Sequence, residues 1–285
     1  MAAVDLHLHT TASDGNLSPT ELVNLVARRG VKFAAITDHD STEGITEARA
    51  AQEKHPGLTL IPGIELSADA PGTEAHILGY FLQWQDPAFQ RTLSGFRDDR
   101  LQRTAEMVET LAKLGIHLEM DRILEFADGA VGRPHIAQAM IEKGYVKDNR
   151  EAFDKYLGRD GAAYVYRMKF PPKDAIDLIR SVNGVAVLAH PTFVDNLEDR
   201  LGEMVQAGLA GMEVYYGGYA PDVVSRLAEM AGRFGLIPCG GSDYHAFGRE
   251  GETLPGEAGP PETSLQALEA LAAASTSSTG PPSAT

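Results

Sequence analysis

Val4-Asp5-Leu6-His7-Leu8-His9-Thr10 decides how this chain is read. Apolar Val4, Leu6 and Leu8 alternate with polar Asp5, His7 and His9, the period-two pattern of a β-strand whose side chains point to opposite faces. His7 and His9 then share a face, with ring nitrogens close enough to hold a cation between them. Asp14 follows in the loop Thr11-Ala12-Ser13-Asp14-Gly15-Asn16, which is placed to fold back over the strand end. Taken alone, the His-x-His pair also fits a surface strand with two solvated imidazoles, so the rest of the chain has to decide.

Outward from that stretch, strand and helix signals alternate as far as about Leu82. Ser18-Pro19-Thr20-Glu21 has the N-cap serine, the proline at the first helical position and the glutamate three residues on that open a helix. That helix ends near Gly30. Phe33-Ala34-Ala35-Ile36-Thr37 reads as a buried parallel strand and runs straight into Asp38-His39-Asp40. A helix over 42–53 leads to a strand over 58–66, with Glu65 at its end, and then to a strand over 76–82 that begins with His76. From about 85 to 170 strands disappear, and helices are predicted over 97–114, 120–127, 134–143 and 150–157. Alternation then resumes with a helix over 172–182 and the strand Val185–Ala189 running into His190-Pro191. The strand 211–216, the strand 236–239 leading to Gly240-Gly241-Ser242-Asp243-Tyr244-His245, and a last helix over 264–273 complete the series.

This order predicts an α/β chain: a barrel in two parts (1–84 and 171–273), a helical insertion (85–170) that meets the substrate, and a disordered Ser/Thr/Pro/Gly-rich tail (274–285). A length of 285 residues suits one large domain with an insertion, and 43% hydrophobic with 23% charged residues is ordinary for a soluble enzyme. A single cysteine, Cys239, excludes an intramolecular disulfide. With no secretory signal and no apolar span, a cytoplasmic location is expected. The net charge of −15, from 25 basic and 40 acidic residues, argues against gripping an extended duplex, and no membrane partner is expected. It leaves room for a small phosphorylated partner, because bound cations reverse the local field. A monomer or weak oligomer is the expected state.

Five of the nine histidines (His7, His9, His39, His190 and His245) fall in or just after the C-terminal ends of predicted parallel strands. Asp14, Asp38, Glu65 and Asp243 fall there too. In a β/α barrel those ends converge on one rim, so residues more than 230 positions apart meet in space. Imidazoles with carboxylates are the ligand set of Zn, Mn and Fe, and so many of them imply more than one ion. His76 does not obey the rule, because it starts its strand. Either the strands 58–66 and 76–82 form a local antiparallel pair, or the barrel is distorted there; a buried histidine with ordinary partners is the other reading.

Asp5-Leu6-His7-Leu8-His9-Thr10 with Asp14-Gly15, Thr37-Asp38-His39-Asp40, Gly63-Ile64-Glu65, His76-Ile77-Leu78-Gly79-Tyr80, Ala189-His190-Pro191 and Gly241-Ser242-Asp243-Tyr244-His245 resemble the successive motifs of the polymerase and histidinol phosphatase (PHP) superfamily. The likeness covers most of residues 4–247. It implies a distorted (β/α)7 barrel with three divalent metal ions, whether Mn, Fe or Zn. Position by position it assigns His7, His9, Asp14, His39, Glu65, His76, His190, Asp243 and His245 as ligands, and it accounts for His76. Every expected ligand type is present.

Within the insertion, Val131-Gly132-Arg133-Pro134-His135-Ile136-Ala137 and Tyr156-Leu157-Gly158-Arg159-Asp160-Gly161-Ala162-Ala163-Tyr164-Val165 resemble the subgroup that acts on nucleotides. That subgroup includes nucleoside 3′,5′-bisphosphate phosphatases and a 5′-to-3′ exonuclease of short RNA ends. Arg133 and His135 flank a predicted helix N-terminus, which favours phosphate, and Arg159 offers a second guanidinium fork. The expected chemistry is in-line attack on phosphorus by a hydroxide bridging two ions, with Asp14 and His39 at the ions and His135 or Asp243 protonating the leaving oxygen. Rival readings are a histidinol-phosphate phosphatase, a polymerase-associated proofreading module and a non-catalytic metal-binding or regulatory protein. Glu213 is expected beside the metal ligands, Cys239 in strand packing, His55 and His117 in solvent, and Arg97, Arg100 and Arg103 on a solvated helix face.

Overall fold

A computed structural model of the chain describes residues 1–277 apart from 71, 128, 167–169 and 249–250. Seven strands form one sheet in sequence order: β1 (Val4–Asp5), β2 (Phe33–Ile36), β3 (Thr59–Ala70), β4 (Thr73–Tyr80), β5 (Val185–Leu188), β6 (Gly211–Tyr216) and β7 (Ile237–Gly241). Hydrogen bonds from Leu6 N to Gly240 O and from Asp243 N to His7 O join the last strand to the first, so the sheet is a nearly closed barrel. At this seam β7 comes so near that a Cβ on Gly241 would lie 2.4 Å from His7 N, which restricts the position to glycine.

β1, β2 and β3 run parallel, as do β5, β6 and β7, but β4 is antiparallel to both neighbours. The reversal resolves the position of His76. On a strand that runs the other way, the early residues sit at the rim where the other strands end, and Ser67↔His76 is the register pair beside Glu65. Both strands of this hairpin are longer than the apolar runs at 58–66 and 76–82, because their far ends pair through polar residues such as Asp69 and Glu74.

Inside the barrel Val4, Leu6, Ala35, Ile61, Leu78, Tyr80, Val187 and Cys239 pack together, with Leu265 and Leu268 of the final helix added to them. Leu8 instead joins a cluster under α1 (Pro19–Arg28) and α2 (Gly44–Gln52). Ladder pairing of β1 stops after Asp5 and returns only as a single bridge between Leu8 and Tyr244. Asp5 accepts hydrogen bonds from Ser242 N and Gly256 N at 3.0 and 2.9 Å. Burial raises its carboxyl to about 6.

The insertion begins with α3 (Pro87–Lys113), ten residues ahead of the expected start. Asp86 caps it by accepting from Ala88 N and Phe89 N, with Pro87 at the first helical position. Phe89 and Leu93 pack against the barrel, while Met107 and Leu111 enter a second apolar cluster. That cluster also takes residues from α4 (Met120–Leu124), α5 (Arg133–Glu142), α6 (Asn149–Ala152) and the π-helical turn Phe153–Leu157. α7 (Pro172–Ser181), α8 (Leu197–Ala207), α9 (Pro221–Phe234) and α10 (Glu262–Ser277) complete the fold. α10 continues through Ser275, beyond the expected end at 273, while 278–285, the rest of the expected disordered tail, lie outside the described residues. No helix among the described residues is long and apolar enough to cross a membrane.

Candidate metal centre

Glu65, in the middle of β3 and bridged to His39, is surrounded by five imidazoles. Its Oε2 lies 3.3 Å from His7 Nε2, 3.3 Å from His9 Nε2 and 3.1 Å from His39 Nδ1. Its Oε1 lies 2.8 Å from His76 Nδ1 and 3.1 Å from His190 Nε2. Asp243 Oδ1 approaches the same two nitrogens of His7 and His9, at 3.2 and 3.1 Å. Asp14, on the loop folded back over β1, lies 3.4 Å from His245 and 3.7 Å from both His9 and His39. All nine residues that the resemblance nominates thus meet in one place.

Three overlapping groups have ligand atoms within 4.8 Å of one another: His9, Asp14, His39 and His245; His7, His9 and Asp243; His39, Glu65 and His76. The donor set fits divalent ions of the Mn, Fe and Zn kind. Both ring nitrogens of His9, Nδ1 of His39 and Oδ1 of Asp14 are buried without a hydrogen-bond partner. Such atoms are costly to bury unless something binds them, and cations between them satisfy the requirement.

Charge tells the same story. Burial opposes ionisation of Glu65, yet His39, His7 and His76 outweigh it and hold the carboxyl well below its usual range. Asp14 and Asp243 are likewise held low against burial, the first by His39 and His245, the second by His7 and His245. Burial also opposes protonation of His7, but Glu213, Asp243 and Glu65 raise it well above the usual imidazole value. Burial pushes the His39 imidazole down to about 3, against the pull of Glu65 and Asp14. The carboxylates call for positive charge at their centre, the role divalent ions take when ligands lose their protons.

Supporting side chains fix the ligands. Glu213 on β6 is fully buried; its Oε1 lies 3.0 Å from His7 Nδ1 and its Oε2 accepts from His190 N at 2.8 Å. Tyr216 donates to Asp243 Oδ2 at 2.6 Å. Asp38 turns away from the centre and accepts from Thr10 N, Thr10 Oγ1 and Ser13 Oγ at 2.6–2.7 Å, which locks the loop that carries Asp14. Asp40, His190 and Asp243 have φ of 50°, 24° and 53°. Strain of this kind at non-glycine residues gathers at functional rims.

Beside the metal ligands runs a cleft lined by Asp14, His39, His76, Arg100, Arg103 and Arg133, among others. The expectation of a solvated arginine face on α3 is overturned for two of its members. Arg100 Nε donates to Asp40 Oδ2 at 2.7 Å and its Nη2 to Ser67 Oγ at 2.9 Å. Arg103 donates to Val165 O. Arg97 alone pairs with an exposed partner, Glu43. Three-residue spacing on a helix suited either outcome, since the partner acids lie on the barrel.

Arg133, first residue of α5, borders the cleft and donates to Glu74 Oε2 at 2.7 Å; Tyr164 donates to Glu74 Oε1 at 2.8 Å. Against burial, Arg133 holds the Glu74 carboxyl down at about 2. His135 is buried, and its Nδ1 accepts from Gly132 N at 3.0 Å. Burial lowers its pKa, and Ser13 contributes a backbone hydrogen bond to it. Arg159 does not line this cleft; it borders a second cavity. His117 is exposed, whereas His55 is half-buried with Nε2 2.7 Å from Asn24 Oδ1. Cys239 is packed inside the barrel, its thiol pushed up by burial. Glu74 and Tyr216 escaped the sequence reading, although Glu74 sits two residues before His76 and so shares its strand face.

The PHP domain family model matches residues 5–158. A 3′,5′-nucleoside bisphosphate phosphatase of Chromobacterium violaceum is 35% identical over 260 residues, 89% of this chain and 91% of that protein. A 5′-3′ exoribonuclease of Haemophilus influenzae is 36% identical over 245 residues, 85% of this chain and 89% of that protein. A crystal structure described as a putative metal-dependent phosphoesterase of Bifidobacterium adolescentis superposes with a TM-score of 0.85, at 29% identity, over 94% of this chain and 96% of that one.

Proposed function

The chain belongs to the PHP domain family, and on that premise we propose that it releases phosphate from a small nucleotide carrying phosphates at its 3′ and 5′ positions. It is a metal-dependent hydrolase of phosphoester bonds, like the relatives it matches. The observation that carries the substrate choice is the junction of two surfaces: the nine-ligand rim and, against it, a cleft bordered by Arg100, Arg103 and Arg133. An otherwise acidic chain of net charge −15 concentrates guanidinium where a phosphoryl group would reach the metal ligands.

His7, His9, Asp14, His39, Glu65, His76, His190, Asp243 and His245 hold the ions in this reading, three in number, with Glu65 and Asp243 placed to serve more than one. Bound there, divalent ions lower the pKa of water and neutralise charge that develops on the phosphoryl oxygens. The protein supplies the rest. Arg133, aimed by Glu74, meets a non-bridging oxygen, and Glu213 and Tyr216 keep His7 and Asp243 in register. His135, with Nδ1 accepting from Gly132, keeps its proton on Nε2 and serves to fix the start of α5 beside the Asp14 loop.

The test is release of phosphate and mononucleotide, with Mn added, from adenosine 3′,5′-bisphosphate, a short 5′-phosphorylated RNA and histidinol phosphate, with His9→Ala run beside it. Phosphate from the bisphosphate, absent in the variant, is the expected outcome. Turnover of histidinol phosphate alone, or silence on all three with metal bound, overturns the proposal.

A further inference from the structure

Phe193 has 62% of its surface exposed, and among the described residues no other phenylalanine is as open to solvent. It lies three residues after the metal ligand His190, in the 3-10 turn Pro191–Phe193, while Pro191 and Val194 close by are buried. The turn is held from several directions. Phe193 N donates to His190 O at 3.1 Å, Thr73 Oγ1 donates to Phe193 O at 3.2 Å, and Thr192 Oγ1 lies 2.8 Å from the Tyr219 hydroxyl. An apolar ring left in water on so fixed a backbone suits stacking, because the platform loses little freedom when a ligand lands on it.

Its surroundings favour a flat ligand. The Phe193 ring lies 5.3 Å from that of His190 at 51° and meets Tyr216 edge-on at 6.4 Å, so neither neighbour lies flat on it. A second phenylalanine, Phe247, lies flat on the ligand His245 at 5.0 Å and 12°, which uses one of its faces. His190 packs in turn against His76 at 4.9 Å, and His76 lines the cleft of Arg100, Arg103 and Arg133. The arginines thus border one ligand of the rim and Phe193 borders the next. In a nucleoside 3′,5′-bisphosphate the base and the 5′ carbon leave the ribose from the two carbons that flank its ring oxygen, and so diverge. With one phosphate at the metal ligands and the other on the arginines, the base is carried away from the guanidinium groups, and an apolar ring is the surface that receives it.

We infer that Phe193 is the platform on which the base of the nucleotide stacks, and that it sets the preference for nucleotides over other phosphate esters. The inference rests on the bisphosphate reading above and adds the residue that recognises the base. Phe193 carries no hydrogen-bonding group, so it reads the face of a base and not its edge.

Phosphate release from adenosine 3′,5′-bisphosphate and from its baseless analogue, in which hydrogen replaces adenine, tests it in Mn-loaded wild type, Phe193→Ala and Phe193→Trp. The wild type favours the nucleotide about tenfold in kcat/KM; Phe193→Ala brings the ratio close to one, and Phe193→Trp keeps it. Damage to the His190 side of the metal centre slows both substrates together and leaves the ratio where it was, so a merely structural role does not imitate the result. A wild type indifferent to the base, a ratio unmoved in Phe193→Ala, or one lost equally in Phe193→Trp overturns the inference. Where neither compound is turned over, calorimetric binding of the same two to the same Mn-loaded proteins takes the place of kinetics. A preference for the nucleotide that Phe193→Ala loses then upholds the platform while the activity reading falls; equal binding of the two compounds to the wild type sinks the platform as well.

Discussion

Arg100 on α3 and Asp40 on the barrel rim meet with Nε 2.7 Å from Oδ2, and Asp40 is fully buried. Asp40 pushes the guanidinium pKa up against the opposing effect of burial. Removing one partner strands the other charge away from water, so Arg100→Ala destabilises the chain by about 3 kcal/mol. Urea unfolding reads this directly. The pair Arg100→Met with Asp40→Asn should lose less than the sum of the single variants; strict additivity would mean that the two groups do not act as a pair.

Metal removal is the second prediction. EDTA abolishes phosphoester hydrolysis, and Mn restores it, because the buried imidazoles and carboxylates of the rim act on a phosphoryl group through divalent ions held between them. The metal-free protein also melts lower, since a ligand that binds only the folded state stabilises it by mass action. Elemental analysis of the loaded protein should find more than one ion per chain, and Glu65→Ala should hold fewer. One ion in both proteins would contradict the shared-carboxylate arrangement.

Glu213→Gln keeps size and shape but removes the charge facing His7 Nδ1. Loss of an outer carboxylate of this kind lowers metal affinity or activity about 10–100-fold. Activity titrated against Mn separates the two effects: a curve shifted to higher Mn with an unchanged plateau indicates weaker binding. The melting temperature in EDTA reports any purely structural loss.

Glu74 gathers Arg133 and Tyr164 on one carboxylate. Glu74→Ala frees both, and KM for the nucleotide rises about tenfold or more, because a charge-assisted hydrogen bond no longer aims the guanidinium. Turnover at saturation changes much less. A fall in turnover at constant KM would place Glu74 with the metal ligands instead.

Much of the site was legible because imidazole and carboxylate recur at strand ends, and a barrel turns such recurrence into proximity. His7, His9, His39, His190 and His245 follow from that rule alone. His76 needed strand direction, which is a matter of pairing between β3 and β4 and leaves no mark in local periodicity. Arg100 and Arg103 of α3 were misread for a related reason: three-residue spacing places them on one face but does not say what that face meets. Glu74 and Tyr216 act through partners 59 and 27 positions away, so their meaning arises only on folding.

The reversal of β4 has an architectural consequence. Its chain leaves the barrel at the end opposite the metal rim, and α3, the first helix of the insertion and about 40 Å long at 27 residues, must climb back along the wall before the rest of the insertion can form. One helix therefore has Phe89 and Leu93 in the barrel's apolar cluster and Met107 and Leu111 in the insertion's. For protein engineering this means there is no clean seam. Excising the insertion as a cassette would strip the barrel of a wall helix, and grafting it elsewhere would carry that wall along, so new specificities on this scaffold are better sought by changing residues in place than by exchanging modules.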